Sequence, residues 1–293
     1  MIRYRLCVWV VCCVFVSLRL SFSRSVVGVH VMRKCIAAGA FLLAGVSGAM
    51  AGGGESYGAP RVDWTGLYVG AHVGYGWGNW DVDLSGSSGA IHYNDHFVPS
   101  RGSLDSGDGW LGGLQAGYNY QTGSLVLGLE ADVSWTGMDA SGRFTTVAPN
   151  FTTWDIDSEL NVFGTVRTRL GFTTGSLLIY GTGGLAWGQT DTSQATNWFP
   201  PANPDVGGRT SGKTNHIGYA VGAGVEWMMS PNWTLKSEYL YVDLGKENYA
   251  LKGTTKPDND VPYIETFATD LDFHTIRVGL NYKFGDRAPA PLK

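Results

Sequence analysis

Cysteine is missing after Cys35, acidic residues are missing before Glu55, and no apolar run reaches the roughly 18 residues that a spanning helix requires. Charged residues make up 16% of the chain, below the quarter or so usual in soluble domains. The first absence removes disulfides, thiolate metal sites and cysteine nucleophiles from everything beyond residue 35. The third means that any passage through a membrane is made by strands. Glycine, by contrast, is plentiful at 42 residues with no three-residue period, which suits closely packed, curved strands.

The acid-free segment carries Arg3, Arg5, Arg19, Arg24, Arg33 and Lys34. From Met32 it reads as a basic pair, an apolar stretch from Ile36 to Val46, and Ala49-Met50-Ala51. That order predicts a signal peptide over 32–51, cleaved after Ala51. Residues 1–31 read as an upstream extension, with Met32 as a second candidate start. Residues 52–63 follow as a linker, 64–284 as the folded domain and 285–293 as a tail. Loss of six basic residues and no acidic one takes the net charge from −4 to about −10, which argues against nucleic acid as a partner.

Beyond the linker, apolar residues recur at every second position. Leu67, Val69, Ala71, Val73, Tyr75 and Trp77 form one face of the first segment; Tyr68, Gly70, His72, Gly74 and Gly76 form the other. A period of two is the signature of a strand with unlike faces. It occurs eight times, near 64–77, 110–120, 125–135, 159–172, 177–188, 216–228, 233–244 and 273–284. In the fourth segment Leu160, Val162, Val166, Leu170 and Phe172 oppose Asn161, Thr165, Arg167 and Arg169. Short turns alternate with long gaps at 79–109, 136–158, 189–215 and 245–272. The pattern predicts an all-β fold, an eight-stranded antiparallel up-and-down transmembrane barrel of the outer-membrane type. Aromatic residues fall into two girdles, one with Trp77, Trp110, Trp135, Trp187 and Tyr241, the other with Trp64, Tyr118, Tyr120, Phe172, Trp227, Trp233, Tyr282 and Phe284.

The segments Trp64-Thr65-Gly66-Leu67-Tyr68-Val69-Gly70, Thr165-Val166-Arg167-Thr168-Arg169-Leu170-Gly171 and Tyr239-Leu240-Tyr241-Val242-Asp243-Leu244-Gly245, with the ending Arg277-Val278-Gly279-Leu280-Asn281-Tyr282-Lys283-Phe284, resemble the major outer-membrane antigens, or immunogenic porin-like proteins, of alphaproteobacteria. The resemblance covers nearly all of 64–284. It implies an eight-stranded barrel with both termini in the periplasm, residence in a Gram-negative outer membrane, and an assembly signal at Tyr282 and Phe284. Two features depart from it: the tail Gly285 to Lys293, and residues 1–31.

The inward faces gather Glu130, Asp132, Arg167, Arg169, Glu226, Lys236, Glu238, Arg277 and Lys283. An eight-stranded bore is just wide enough for side chains to fill, so these ions are expected to pair as structural elements rather than to line a pathway. Gly181-Thr182-Gly183-Gly184-Leu185-Ala186 fits a dinucleotide fingerprint, but it continues a strand instead of opening a helix. His92 and His96 lie in a polar gap with no helical pattern, and no nucleophile elbow or paired carboxylate motif stands out. No catalytic residue, metal site or cofactor is therefore expected. The long gaps are acidic, and Trp198-Phe199-Pro200-Pro201 is a candidate adhesive tip. The expected role is that of a non-catalytic, monomeric surface barrel supporting envelope integrity. Its partners would be outer-membrane lipid, lipopolysaccharide, the barrel-assembly machinery and periplasmic chaperones. A porin-like small-solute channel and a haem or host-surface receptor are the alternatives.

Overall fold

The computed structural model describes residues 62–89, 101–105, 107–145, 151–199, 206–256 and 262–284. They form β1 (Gly66–Gly89), β2 (Arg101–Ser103), β3 (Gly107–Thr122), β4 (Leu125–Thr145), β5 (Phe151–Thr174), β6 (Leu177–Phe199), β7 (Val206–Ser230), β8 (Trp233–Lys256) and β9 (Pro262–Lys283). β2 is a three-residue strip along β1. The other eight pair antiparallel in chain order, and β1 pairs with β9 to close the ring. The expected leader and upstream extension, nearly all of the linker, the tail, His92, His96, Pro200 and Pro201 lie outside the described residues.

One end of the ring is made by two-residue loops: Gly123-Ser124, Gly175-Ser176 and Pro231-Asn232. Gly123 and Gly175 have φ of 61° and 70°, the left-handed backbone that a tight hairpin takes at its first central position. In barrels of this type short turns face the periplasm.

At the other end the segments expected as long loops are largely strand. β5 and β6 stay paired out to Phe151 and Phe199, and β1 and β9 out to Gly89 and Tyr263. β5 has 24 residues, about 80 Å at roughly 3.3 Å each, whereas a tilted strand crosses a bilayer in about 9–11. The ring therefore carries a second storey outside the membrane.

The sequence supports that storey by reversing its alternation. Low on β1, Val69, Ala71 and Val73 point out, while Gly70, His72 and Gly74 point in; higher up, Trp80 and Val82 point in while Asn79 and Asp81 point out. β5 makes the same change through a bulge between Leu160 and Val162. Below it Arg167 and Arg169 point in and Val166 and Leu170 out; above it Ile156 and Leu160 point in and Asp157 and Glu159 out. This corrects the expectation for Leu160, which is buried inside at 0% exposure because the extra residue shifts its parity. Bulges interrupt β4 between Trp135 and Met138 and β8 between Asp243 and Lys246 at a similar height.

Candidate functional site: the barrel interior

Followed from the short turns, the inward residues of β4 are Val126, Glu130, Asp132, Ser134, Met138 and Ala140. Those of β8 are Thr234, Lys236, Glu238, Leu240, Val242 and Leu244. Each strand thus contributes an ionic level and then an apolar level. Around the ring the levels align into layers.

In the ionic layer, Glu130 and Arg167 are directly opposite across β4 and β5, and Arg167 Nη2 lies 2.7 Å from Glu130 Oε1 and 3.0 Å from Asp132 Oδ2. Arg167 Nη1 is 3.2 Å from Glu238 Oε1. Lys236 reaches across the bore to Glu130 at 3.0 Å, although its register partner is Glu226. Arg277 joins Asp132 at 2.9 Å to Glu238 at 2.6 Å, and Arg169 bonds Glu226 at 2.5 Å. Four carboxylates and four cations thus form one connected, charge-balanced group, each residue within 7% of full burial. Neutral donors add to these contacts, and Glu226 Oε1 is held by neutral donors alone. Tyr68 OH donates to Glu130 at 2.7 Å, Tyr180 OH to Glu238 at 2.9 Å, Thr165 to Asp132 and Thr234 and Asn281 to Glu226. The Arg169 guanidinium also lies 4.0 Å from the centre of the Tyr180 ring. Gly117 and Gly224 make room for these tyrosines: a Cβ on either would collide with the phenol oxygen of Tyr68 or Tyr180.

The ionic layer is closed on both sides. Above it, Met138, Leu160, Phe163, Leu240, Leu271 and Phe273 belong to one buried apolar cluster, with Phe163 and Phe273 edge to face at 5.1 Å. Below it lie Trp64, Val126, Leu178, Tyr180 and Met228. The sequence puts Trp64 in the short-turn girdle, but it is 1% exposed and turned into the mouth. Its amide donates to Gln121 Oε1 at 2.7 Å and its indole N–H to the Gly175 carbonyl at 3.2 Å, ties to two different turns that the outward position would not offer.

Eight of the nine inward ionisable residues named from the sequence are thus brought together. Lys283 is not. Its parity is inward, but as the last residue of β9 it sits half-buried at the rim and donates to the Asp63 carbonyl. Tyr282 and Phe284 point outward, 37% and 50% exposed, with their rings 5.1 Å apart. Charge alone does not single out Tyr68 and Tyr180 as members of the ionic layer, although their inward parity places them on the right face. Gly181 to Ala186 is an interior run of β6 paired with β7 throughout, with no helix start. His72 contacts Ser134 at 2.8 Å and Gln115 at 3.2 Å, with Ser134 fully buried under the apolar cluster, an arrangement suited to packing rather than to meeting a substrate.

A ring of eight antiparallel strands, apolar outside over one bilayer thickness and filled inside, defines a membrane-spanning β-barrel. Residues 37–284 match the family model described as outer membrane protein beta-barrel domain, and the chain belongs to that family. It is 39% identical over 224 residues to the 31 kDa outer-membrane immunogenic protein of Brucella melitensis, covering 75% of this chain and 84% of that protein. To the 22 kDa outer membrane protein of Rhizobium leguminosarum it is 29% identical over 207 residues, covering 71% and 79%. Among solved structures, the outer membrane protein OprG of Pseudomonas aeruginosa aligns over 76% of this chain and 97% of its own, with 15% identity and a TM-score of 0.41. The protein is an outer-membrane barrel of the immunogenic surface-protein kind.

Proposed function

We propose that the barrel is a non-conducting, non-catalytic element of the outer membrane that supports envelope integrity and holds its outer storey at the cell surface. The observation that carries this reading is the filled bore. An ion crossing it would have to displace a closed, charge-balanced network and then pass an apolar layer, where a bare charge is very costly. Extended strands clothed in outward Asp, Glu, Lys and Thr suit surface exposure, and their acidic bias favours contact with lipopolysaccharide through bridging divalent cations. Recognition by the assembly machinery and periplasmic chaperones belongs to this reading, supported by the outward aromatic rings of Tyr282 at the end of the closing strand and Phe284 just after it. The barrel acts as a monomer in this reading.

The test is a deletion strain complemented with the wild type or with a barrel truncated at the upper storey. Sensitivity to detergent and to bulky antibiotics should be restored by the first and only partly by the second. Restoration that instead depends on uptake of a small solute, with unchanged detergent sensitivity, would contradict the reading.

A further inference from the structure

Outward aromatic residues at the upper membrane boundary are not spread evenly. Across β3, β1, β9 and β8 one register row runs Trp110, Tyr75, Ile276, Tyr239. The row above it runs Trp77, His274, Tyr241 over β1, β9 and β8. On β4, β5 and β6 the described outward residues at this height include only Trp135 and Trp187 as aromatics, set beside Val162, Gly164 and Gln189. The crowded side is also internally organised. His274 stacks on Trp77 at 5.8 Å and on Tyr239 at 5.9 Å and meets the tilted ring of Tyr241 at 5.1 Å, and its Nδ1 lies 2.7 Å from Tyr239 OH. Tyr75 and Trp110 meet edge to face at 5.5 Å.

The next rows outward on the same strands are acidic. Asp272 is directly opposite Asp243, and Asp270 is directly opposite Asp81. Like charges facing one another across a ladder are destabilising in themselves, so this edge of the patch gains from a cation. Lys246, opposite Asp270, is the one basic residue registered in these rows among the described residues. Below the rings the surface turns to Val73, Val278, Leu235 and Leu280, the apolar band that meets acyl chains. Ring faces attract cations through their quadrupole, and aromatic surfaces recognise quaternary ammonium groups in this way.

We propose that this face binds an amphiphile with an ammonium headgroup: the cation over Trp77, Tyr241 and their neighbours, its charge met by Asp243 and Asp272, and its chain along the apolar band below. The charge pattern disfavours a second copy of this chain on the same face, because the two acidic rows would oppose each other.

The probe is a dodecyltrimethylammonium carrying a nitroxide at the headgroup, titrated into the full chain in maltoside micelles and read by broadening of assigned backbone amide resonances. Broadening is expected around 75–79, 239–243 and 272–276, and much less around 162–164 and 187–189. Trp77→Leu with Tyr241→Leu should weaken it roughly tenfold, the scale of two cation–π contacts at a partly exposed site. Asp243→Asn with Asp272→Asn should do likewise, whereas Trp187→Leu should leave it unchanged. Heat-modifiable gel migration confirms that each variant is folded, and the carboxamide pair keeps the test valid if the ring pair is not. Equal broadening all round the barrel would overturn the proposal, leaving an ordinary interfacial belt. So would equal broadening by the sulfate analogue, binding of labelled oligolysine in place of the amphiphile, or self-association that buries the patch.

Discussion

The two storeys of this barrel fill the same ring of strands in opposite ways. Inside the bilayer storey the wall is apolar outward and ionic inward; in the outer storey it is acidic and polar outward. Inward, the outer storey is apolar on β1, β4, β5, β8 and β9, with neutral polar residues such as Thr190, Thr192, Gln194 and Thr210 buried on β6 and β7. β5 shows both within one strand, with Arg167 and Arg169 inside on one side of its bulge and Leu160 and Ile156 inside on the other. The difference follows from the medium outside. Hydrocarbon demands an apolar exterior, leaving polar residues for the bore, where charges have to be matched partner by partner. Water outside allows the interior to be filled as in a soluble protein, where volume matters more than pairing. The bilayer storey is therefore brittle toward loss of a single ion, and the outer storey toward loss of volume.

The largest expected effect is at Glu130, which takes Arg167, Lys236 and the phenol of Tyr68. Glu130→Gln should lower unfolding stability in detergent by about 3–5 kcal/mol, measured with urea, because it leaves buried cations short of a partner. Next is Leu160→Ala in the outer core, with a loss of about 2–5 kcal/mol from lost burial and the cavity left behind. Outward charge should separate the storeys. Leu129→Arg, on the lipid face, should cost about 2–4 kcal/mol. Ser193→Arg, outward on the upper part of β6, should stay within about 0.5 kcal/mol. Similar costs at the two sites would mean that both storeys face the same medium. A smaller effect is the coupling between Glu130→Gln and Arg167→Gln. Because Arg167 retains Asp132 and Glu238, the double-mutant cycle should give about 0.5–3 kcal/mol, with the double mutant less damaged than the sum of the singles.

The smallest effect expected is on pH dependence at the outer boundary. Partial burial, together with the nearby carboxylates of Asp243, Asp270 and Asp81, pushes Asp272 up to about 6. Its neutral form is therefore favoured in the folded state, and this group's contribution to stability declines as pH rises through that range. Binding of the ammonium probe should change in the other direction, strengthening from about pH 5 to about pH 7.5 as Asp272 ionises and any charge on His274 is lost. Asp272→Asn should flatten most of that profile, read by the same amide broadening.

The bilayer storey is legible in the sequence because polar residues alternating with a greasy face, eight times over, fit little besides a strand with lipid on one side. That pattern locates all eight wall strands and the face on which Glu130, Asp132, Arg167, Arg169, Glu226, Lys236, Glu238 and Arg277 lie. The outer storey reads as loops because its alternation is inverted and sparse: Trp80 and Val82 alternate with Asn79 and Asp81, which resembles a polar connection punctuated by aromatics. The bulge hides Leu160, since a single inserted residue reverses parity with no mark in composition. Trp64 escapes for a different reason. It precedes β1, so no alternation governs it, and its position is set by bonds to Gln121 and Gly175, 57 and 111 residues away. Within the ionic layer the pairing of Glu130 with Arg167 follows from parity on neighbouring strands, but the partner of Lys236 is beyond reach, because it bonds across the bore instead of to its register neighbour.

At the β5 bulge the medium outside the barrel changes from hydrocarbon to water. Single spin labels placed outward along β5, with Cys7, Cys12, Cys13 and Cys35 replaced by serine, test it directly in lipid bilayers. Labels at positions 166, 168 and 170 should collide with dissolved oxygen, and those at 155, 157 and 159 with a water-soluble nickel chelate, with the crossover at Asn161 and Val162. Oxygen preference persisting through 159, or chelate access down to 166, would contradict the two-storey account.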